Sequence, residues 1–113
     1  MTISQIVEAV EGRIATGDRH DREVVYGFSS DLMSDVLTVM QDHVLLVTGL
    51  SNLQTVRTAT MADISTILLV RNKRATTEMK KAAEENGMVL IETSFSMFRT
   101  SGILYQAGLK PVF

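Results

Sequence analysis

Four short segments concentrate the side chains of this chain that could bind or react: Ser29-Ser30-Asp31, Thr48-Gly49-Leu50-Ser51-Asn52, Arg71-Asn72-Lys73-Arg74 and Thr93-Ser94-Phe95-Ser96. Three are rich in hydroxyls and one is cationic. Hydroxyls and backbone amides donate hydrogen bonds to phosphate-like oxygens, and a guanidinium or ammonium supplies the opposite charge. The candidate ligand-binding residues are therefore Ser29, Ser30, Asp31, Thr48, Gly49, Ser51, Asn52, Arg71, Lys73, Thr93 and Ser94. The ligand they suit is a small anion of phosphate or nucleotide type. Ser, Thr, Asn and Asp also cap helices in most α/β proteins, so capping alone is an equally complete account of the pattern.

Other chemistry is thinly represented. Asp31 and Asp35 sit one helical turn apart, but two carboxylates with no third ligand make a poor metal site. His20 and His43 keep polar company, Asp21 and Asp42, and suit exposed surface better than a catalytic base. The chain has no Cys, which removes disulfides, thiolate metal sites and cysteine nucleophiles together. None of the standard phosphate-cradling, zinc or nucleophile-elbow motifs occurs. No cofactor and no metal are expected. An enzyme of phosphoryl or acyl transfer could use Thr48, Ser51 or Ser94 beside Arg71 or Lys73, yet a hydroxyl nucleophile needs a base, and neither His is placed to be one.

The elements that must position these segments follow from periodicity. Ile3, Ile6, Val7 and Val10 form one helical face, with Thr2 or Ser4 as cap and Gly12 just past its end. Arg13 to Thr16 reads as a short strand, the stretch 17–21 as a polar bend, and Glu23 to Ser29 as a second strand. Leu32, Met33, Val36, Leu37 and Met40 recur as a helical stripe capped by Ser30 or Asp31. Strands are then expected at Val44 to Thr48, Ile64 to Val70 and Met88 to Glu92, the first of them a continuous apolar run typical of a buried parallel strand. Helices follow each: one capped by Ser51 or Asn52, one capped by Thr76 or Thr77 and ending at Asn86-Gly87, and one from Ser94 to Gln106 with Phe95, Phe98, Gly102 and Tyr105 on one face and Met97 and Leu104 beside them. Met33, Met40, Met79, Met88 and Met97 fall on expected core faces. Gly108 stops the last helix and Pro111 prevents its resumption.

Crossovers of helical length place strands parallel and in right-handed units. The expected architecture is α/β: a small, mainly parallel sheet flanked by helices, with an N-terminal helix and short N-terminal strands. Residues 1–113 are expected to form a single domain, since domains commonly run to roughly 100–150 residues. Ligands of such sheets collect outside the carboxyl ends of the strands, which is where the four segments fall.

Composition narrows the partners. Hydrophobic residues make up 45% and charged ones 21%, too apolar for a disordered chain. With 11 Lys and Arg against 13 Asp and Glu, the formal charge of −2 lacks the field that draws proteins to nucleic acid. The short basic cluster Arg71, Lys73, Arg74, Lys80 and Lys81 reads as a solvated surface. Met1 to Val10 does not resemble a signal peptide, and no run nears the ~20 apolar residues of a membrane span, so no membrane partner and a cytoplasmic location are expected. More apolar side chains are present than one small core readily hides, which implies a homodimer.

Asp31-Leu32-Met33-Ser34-Asp35-Val36-Leu37, Leu45-Leu46-Val47-Thr48-Gly49-Leu50-Ser51-Asn52, Thr58-Ala59 and Gly108-Leu109 together resemble the DRTGG domain family, over about Val24 to Leu109. The segment most like the name-giving motif reads Thr48-Gly49-Leu50-Ser51-Asn52, without the Asp-Arg pair or second Gly. The family is similar to the N-terminal part of HPr kinase/phosphorylase and occurs within larger proteins, including CBS-containing pyrophosphatases and phosphotransacetylases. The resemblance implies a small α/β regulatory or dimerising module, with no kinase domain and hence no protein phosphorylation. The resulting expectation is a non-catalytic module that homodimerises and takes a small anionic ligand. The transfer enzyme and a structural adaptor that binds only a partner protein are its alternatives.

Overall fold

A computed structural model describes residues 1–17 and 21–113. Asp18, Arg19 and His20, the middle of the expected polar bend and one of the two histidines, lie outside the described residues. The elements run α1 (Ile3–Ala9), β1 (Arg13–Thr16), β2 (Tyr26–Ser29), α2 (Met33–Val36), β3 (Val44–Thr48), α3 (Leu53–Met61), β4 (Thr66–Leu69), α4 (Thr77–Glu85), β5 (Val89–Glu92), α5 (Met97–Gln106) and β6 (Lys110–Pro111). They build one six-stranded sheet in the order β1-β5-β4-β3-β2-β6. Strands β5, β4, β3, β2 and β6 are mutually parallel, and β1 alone is antiparallel, against β5. The mainly parallel α/β sheet is as expected.

Helices cover both faces. Successive side chains of a strand point to opposite sides, so β3, β4 and β5 send Leu46, Ile67, Leu69 and Leu90 toward α3 and α4, where Val56, Ala59, Met79 and Ala83 meet them. The alternate residues Leu45, Val47, Leu68 and Ile91 face α1 and α5, against Ile3, Ile6, Val10 and Leu104. Apolar partners on both sides explain why these strands read as unbroken hydrophobic runs.

Local signals act as their chemistry requires at most helix ends. Thr2 caps α1 and forms a reciprocal box with Gln5, Asn52 caps α3, Thr76 caps α4 and Ser96 caps α5. Gly87 ends α4 at φ 64, and Gly108 ends α5 at φ 105.

Five expectations need correction. The left-handed residue after α1 is Glu11, at φ 50. Gly12 instead permits close approach, because a Cβ there would lie 2.9 Å from the Glu92 carbonyl oxygen. Strand β2 is shorter than Glu23 to Ser29, and Glu23 instead forms an isolated bridge with Thr2. Helix α2 is a single turn without a side-chain cap, and Leu32, Leu37 and Met40 beside it are exposed, Met40 by 88%. Phe98 and Tyr105 of α5 face outward, and Thr100 and Leu104 are buried in their place. Finally, the segment at Pro111 is a two-residue edge strand beside β2, a place where proline's missing N–H costs nothing.

Candidate functional site

Parallel register sets the carboxyl ends side by side. Thr48 pairs with Leu69, Leu69 with Glu92, and Ser29 with Val47. At about 4.8 Å between strands, the row from Ser29 to Glu92 spans roughly 15 Å. All four candidate segments therefore emerge at one end of the sheet, but they separate into two halves with different chemistry.

The β2–β3 half is bonded to itself. Asp31 Oδ1 accepts from Thr48 Oγ1 at 3.0 Å and from the Gly49 N–H at 2.7 Å. Thr48 Oγ1 in turn accepts from the Leu50 N–H at 3.2 Å, and the residue is fully buried. Ser30 Oγ accepts from the Leu32 N–H at 3.0 Å, Ser29 Oγ meets Ser101 Oγ at 2.7 Å, and Asn52 Oδ1 accepts from the Thr55 N–H at 3.0 Å. Ser51 Oγ donates to the Arg74 carbonyl. In this half the candidate groups have partners within the chain, as helix-capping and turn residues do.

The β4–β5–β1 half is different. Arg71 and Asn72 adopt successive left-handed conformations, φ 57 and 63, costly for residues other than Gly. They are held there because the Arg71 N–H donates to the Phe95 carbonyl at 2.7 Å and the Asn72 N–H to the Thr93 carbonyl at 2.9 Å. Thr93, also buried, donates to the Val10 carbonyl at 2.7 Å and accepts from the Phe95 N–H at 3.2 Å. The loops after β4 and β5 are thus laced to each other and to the end of α1. The side chains of Arg71, Lys73 and Ser94 stay exposed.

At the centre stands Glu92, which is only 4% exposed. Its Oε1 accepts from Arg13 Nε at 2.8 Å and from Arg74 Nη1 at 3.2 Å, and its Oε2 from the Ala75 N–H at 2.7 Å. Burial on its own pushes the carboxyl pKa up. The Ala75 amide and the two arginines outweigh it, so Glu92 titrates below its ordinary 4.5. The arginine side chains remain 63% and 55% exposed, so one buried carboxylate holds two cations that are each more than half in solvent. Beside them opens a cleft of about 200 Å³, bounded by Glu11, Gly12, Arg13, Asn72, Arg74 and Ser94.

Of the candidates, Asn72's neighbours Arg71 and Lys73, with Thr93 and Ser94, belong to this half. Glu92 and Arg13 were missed. Arg13 reaches the carboxyl edge because β1 is antiparallel and presents its first residue there. The one available signal for Glu92 was a carboxylate closing an apolar strand, since a buried charge needs partners. His43 lies at the opposite end, where its carbonyl accepts from the Val25 and Tyr26 amides. Among the described residues no group of three or more acidic or histidine side chains could hold a metal. No helix there is long and apolar enough to cross a membrane.

A doubly covered, mainly parallel sheet with a polar cleft at its carboxyl edge defines an α/β domain. The family model for the DRTGG domain matches residues 5–107, and the chain belongs to that family. Its fold is similar to a crystal structure of the CBS and DRTGG domains of the regulatory region of Clostridium perfringens pyrophosphatase, complexed with its activator diadenosine tetraphosphate. The TM-score is 0.80 at 10% identity, with 94% of this chain covered. The chain spans 46% of that chain's length. Among curated proteins none matches.

Proposed function

We propose that this chain is a non-catalytic regulatory module that homodimerises and takes a small anionic ligand, of phosphate or nucleotide type, at the carboxyl ends of its strands. The observation that carries the reading is the Arg13–Glu92–Arg74 arrangement, in which a buried carboxylate holds two half-exposed guanidiniums at a cleft. Preset arginines bind phosphate with little ordering cost. Arg71 and Lys73 on the adjoining loop bring the local balance to four cations against Glu11 and Glu92. At about 200 Å³ the cleft is below the roughly 300–1,000 Å³ of drug-sized pockets. It accommodates a phosphate or short polyphosphate and leaves the rest of a nucleotide outside. The pyrophosphatase regulatory region that shares this fold was crystallised with a dinucleoside polyphosphate activator, which supports the same ligand class here.

Titration calorimetry and thermal unfolding with inorganic phosphate, pyrophosphate, AMP, ATP and diadenosine tetraphosphate test the reading. A ligand selective for the folded state raises the melting temperature by mass action. The expected result is a rise with at least one phosphorylated compound, abolished in Arg74→Gln/Glu92→Gln, a pair that leaves no unbalanced buried charge. No response across the series, or an equal response in the double variant, would overturn it.

A further inference from the structure

The sequence places Phe98, Gly102 and Tyr105 on one face of α5, and the fold leaves that face in solvent, with Phe98 91% and Tyr105 68% exposed. Gly102 lies between them, four residues after Phe98 and three before Tyr105. A glycine inside a helix is destabilising relative to alanine, and nothing among the described residues crowds the position, since a Cβ there would meet no atom within 4 Å outside its own helix backbone and chain neighbours. Beside Tyr105 the surface sinks into a hollow of about 180 Å³ walled by Gly27, Val47, Leu104, Leu109 and Pro111.

We infer that this face is the contact surface for a second copy of the chain, packed as an antiparallel pair of α5 helices crossing at Gly102. The inference rests on the homodimer reading above and specifies its face. In such a pair Phe98 of each copy falls beside Tyr105 of the other, where the hollow opens to receive the ring. Gly102 lies at the two-fold axis and lets the backbones approach. The two sides of a symmetric interface must be the same patch, and this patch carries both a projecting ring and a socket. Phe98 and Tyr105, 91% and 68% exposed, would each bring much of the roughly 150–250 Å² of an aromatic side chain to such an interface, and the apolar walls of the hollow adjoin them.

Sedimentation of the whole chain at micromolar concentration, with circular dichroism as a check on folding, tests it. Wild type is expected to be a dimer, Phe98→Asp a folded monomer, and Met61→Asp, which removes an exposed apolar side chain on α3, still a dimer. Because the chain has no cysteine, Gly102→Cys under mild oxidation is expected to cross-link at twice the chain mass, and Gln54→Cys on α3 to stay single. A dimer that survives Phe98→Asp and leaves Gly102→Cys uncross-linked overturns this face while leaving dimerisation standing. A wild type that is monomeric throughout overturns both.

Discussion

The two ends of the sheet are opposites. At the β1–β5 end a buried carboxylate, two arginines and the laced loops after β4 and β5 satisfy one another around a polar cleft. At the β2–β6 end the sheet closes with a two-residue strand, and apolar side chains are left outside: Phe98 and Tyr105 on the α5 side, and Leu32, Met40 and Phe113 on the other. Phe113 meets Phe28 edge-on, with ring centroids 5.8 Å apart. The contrast teaches that order and exposure report different things. The polar end is held rigid by bonds within the chain, as a binding site needs; the apolar end has surface that the chain does not cover, as an association site needs.

Substitutions at the two ends should therefore differ in kind. The largest effect is expected at Glu92. Glu92→Ala removes three hydrogen bonds, one from a partly buried amide, and should cost roughly 2–3 kcal/mol in urea unfolding. The figure stays below that for a fully buried pair because both arginines are more than half exposed and can rehydrate. The pH dependence has a definite sign. Because the folded-state pKa lies below the ordinary 4.5, the stabilisation is complete above that value and lost as pH falls through the lower folded value. Glu92→Gln should flatten the acid limb of the stability curve.

Next in size is Thr93→Val, which keeps the shape but strips the donor from the Val10 carbonyl and the acceptor from the Phe95 amide. It should cost about 1–2 kcal/mol and loosen the cleft, read as weaker ligand binding at a temperature where the variant is still folded. Thr100 offers the opposite sign. Its buried Oγ1 has no hydrogen-bond partner among the described residues, so Thr100→Val should stabilise the fold by about 1 kcal/mol. The smallest effect is expected at the apolar end. Phe98→Ser should change the unfolding free energy of the monomer by no more than about 0.5 kcal/mol, and a loss above ~2 kcal/mol would show that the ring is packed within its own chain.

Much of the fold is legible in the residues themselves. The runs at Val44 to Thr48, Ile64 to Val70 and Met88 to Glu92, the caps Thr2, Asn52 and Thr76, and the stops Gly87 and Gly108 are local signals, and local physics is enough to read them. The errors fall where periodicity had no tertiary reference. The apolar face of α5 would ordinarily be the buried one, yet Phe98 and Tyr105 stand in solvent while Thr100 and Leu104 enter the core. The stripe after Asp31 suggested several helical turns, yet α2 is one turn, and the Asp31 carboxylate bonds Thr48 and Gly49 rather than capping it.

The candidate site was legible as a place and not as a set of residues. Loops rich in Ser, Thr and Asn at strand ends could be found from spacing, but caps and ligand donors use the same atoms, and only the bonding partners distinguish them. Strand order brought Arg13, seventy-nine residues away in sequence, onto Glu92. The amino acids alone determined which segments become strands and helices, since those depend on neighbours a few positions away. Which polar groups are paired inside the fold and which stay exposed was decided by tertiary structure, because that depends on pairings between distant strands that no local pattern encodes.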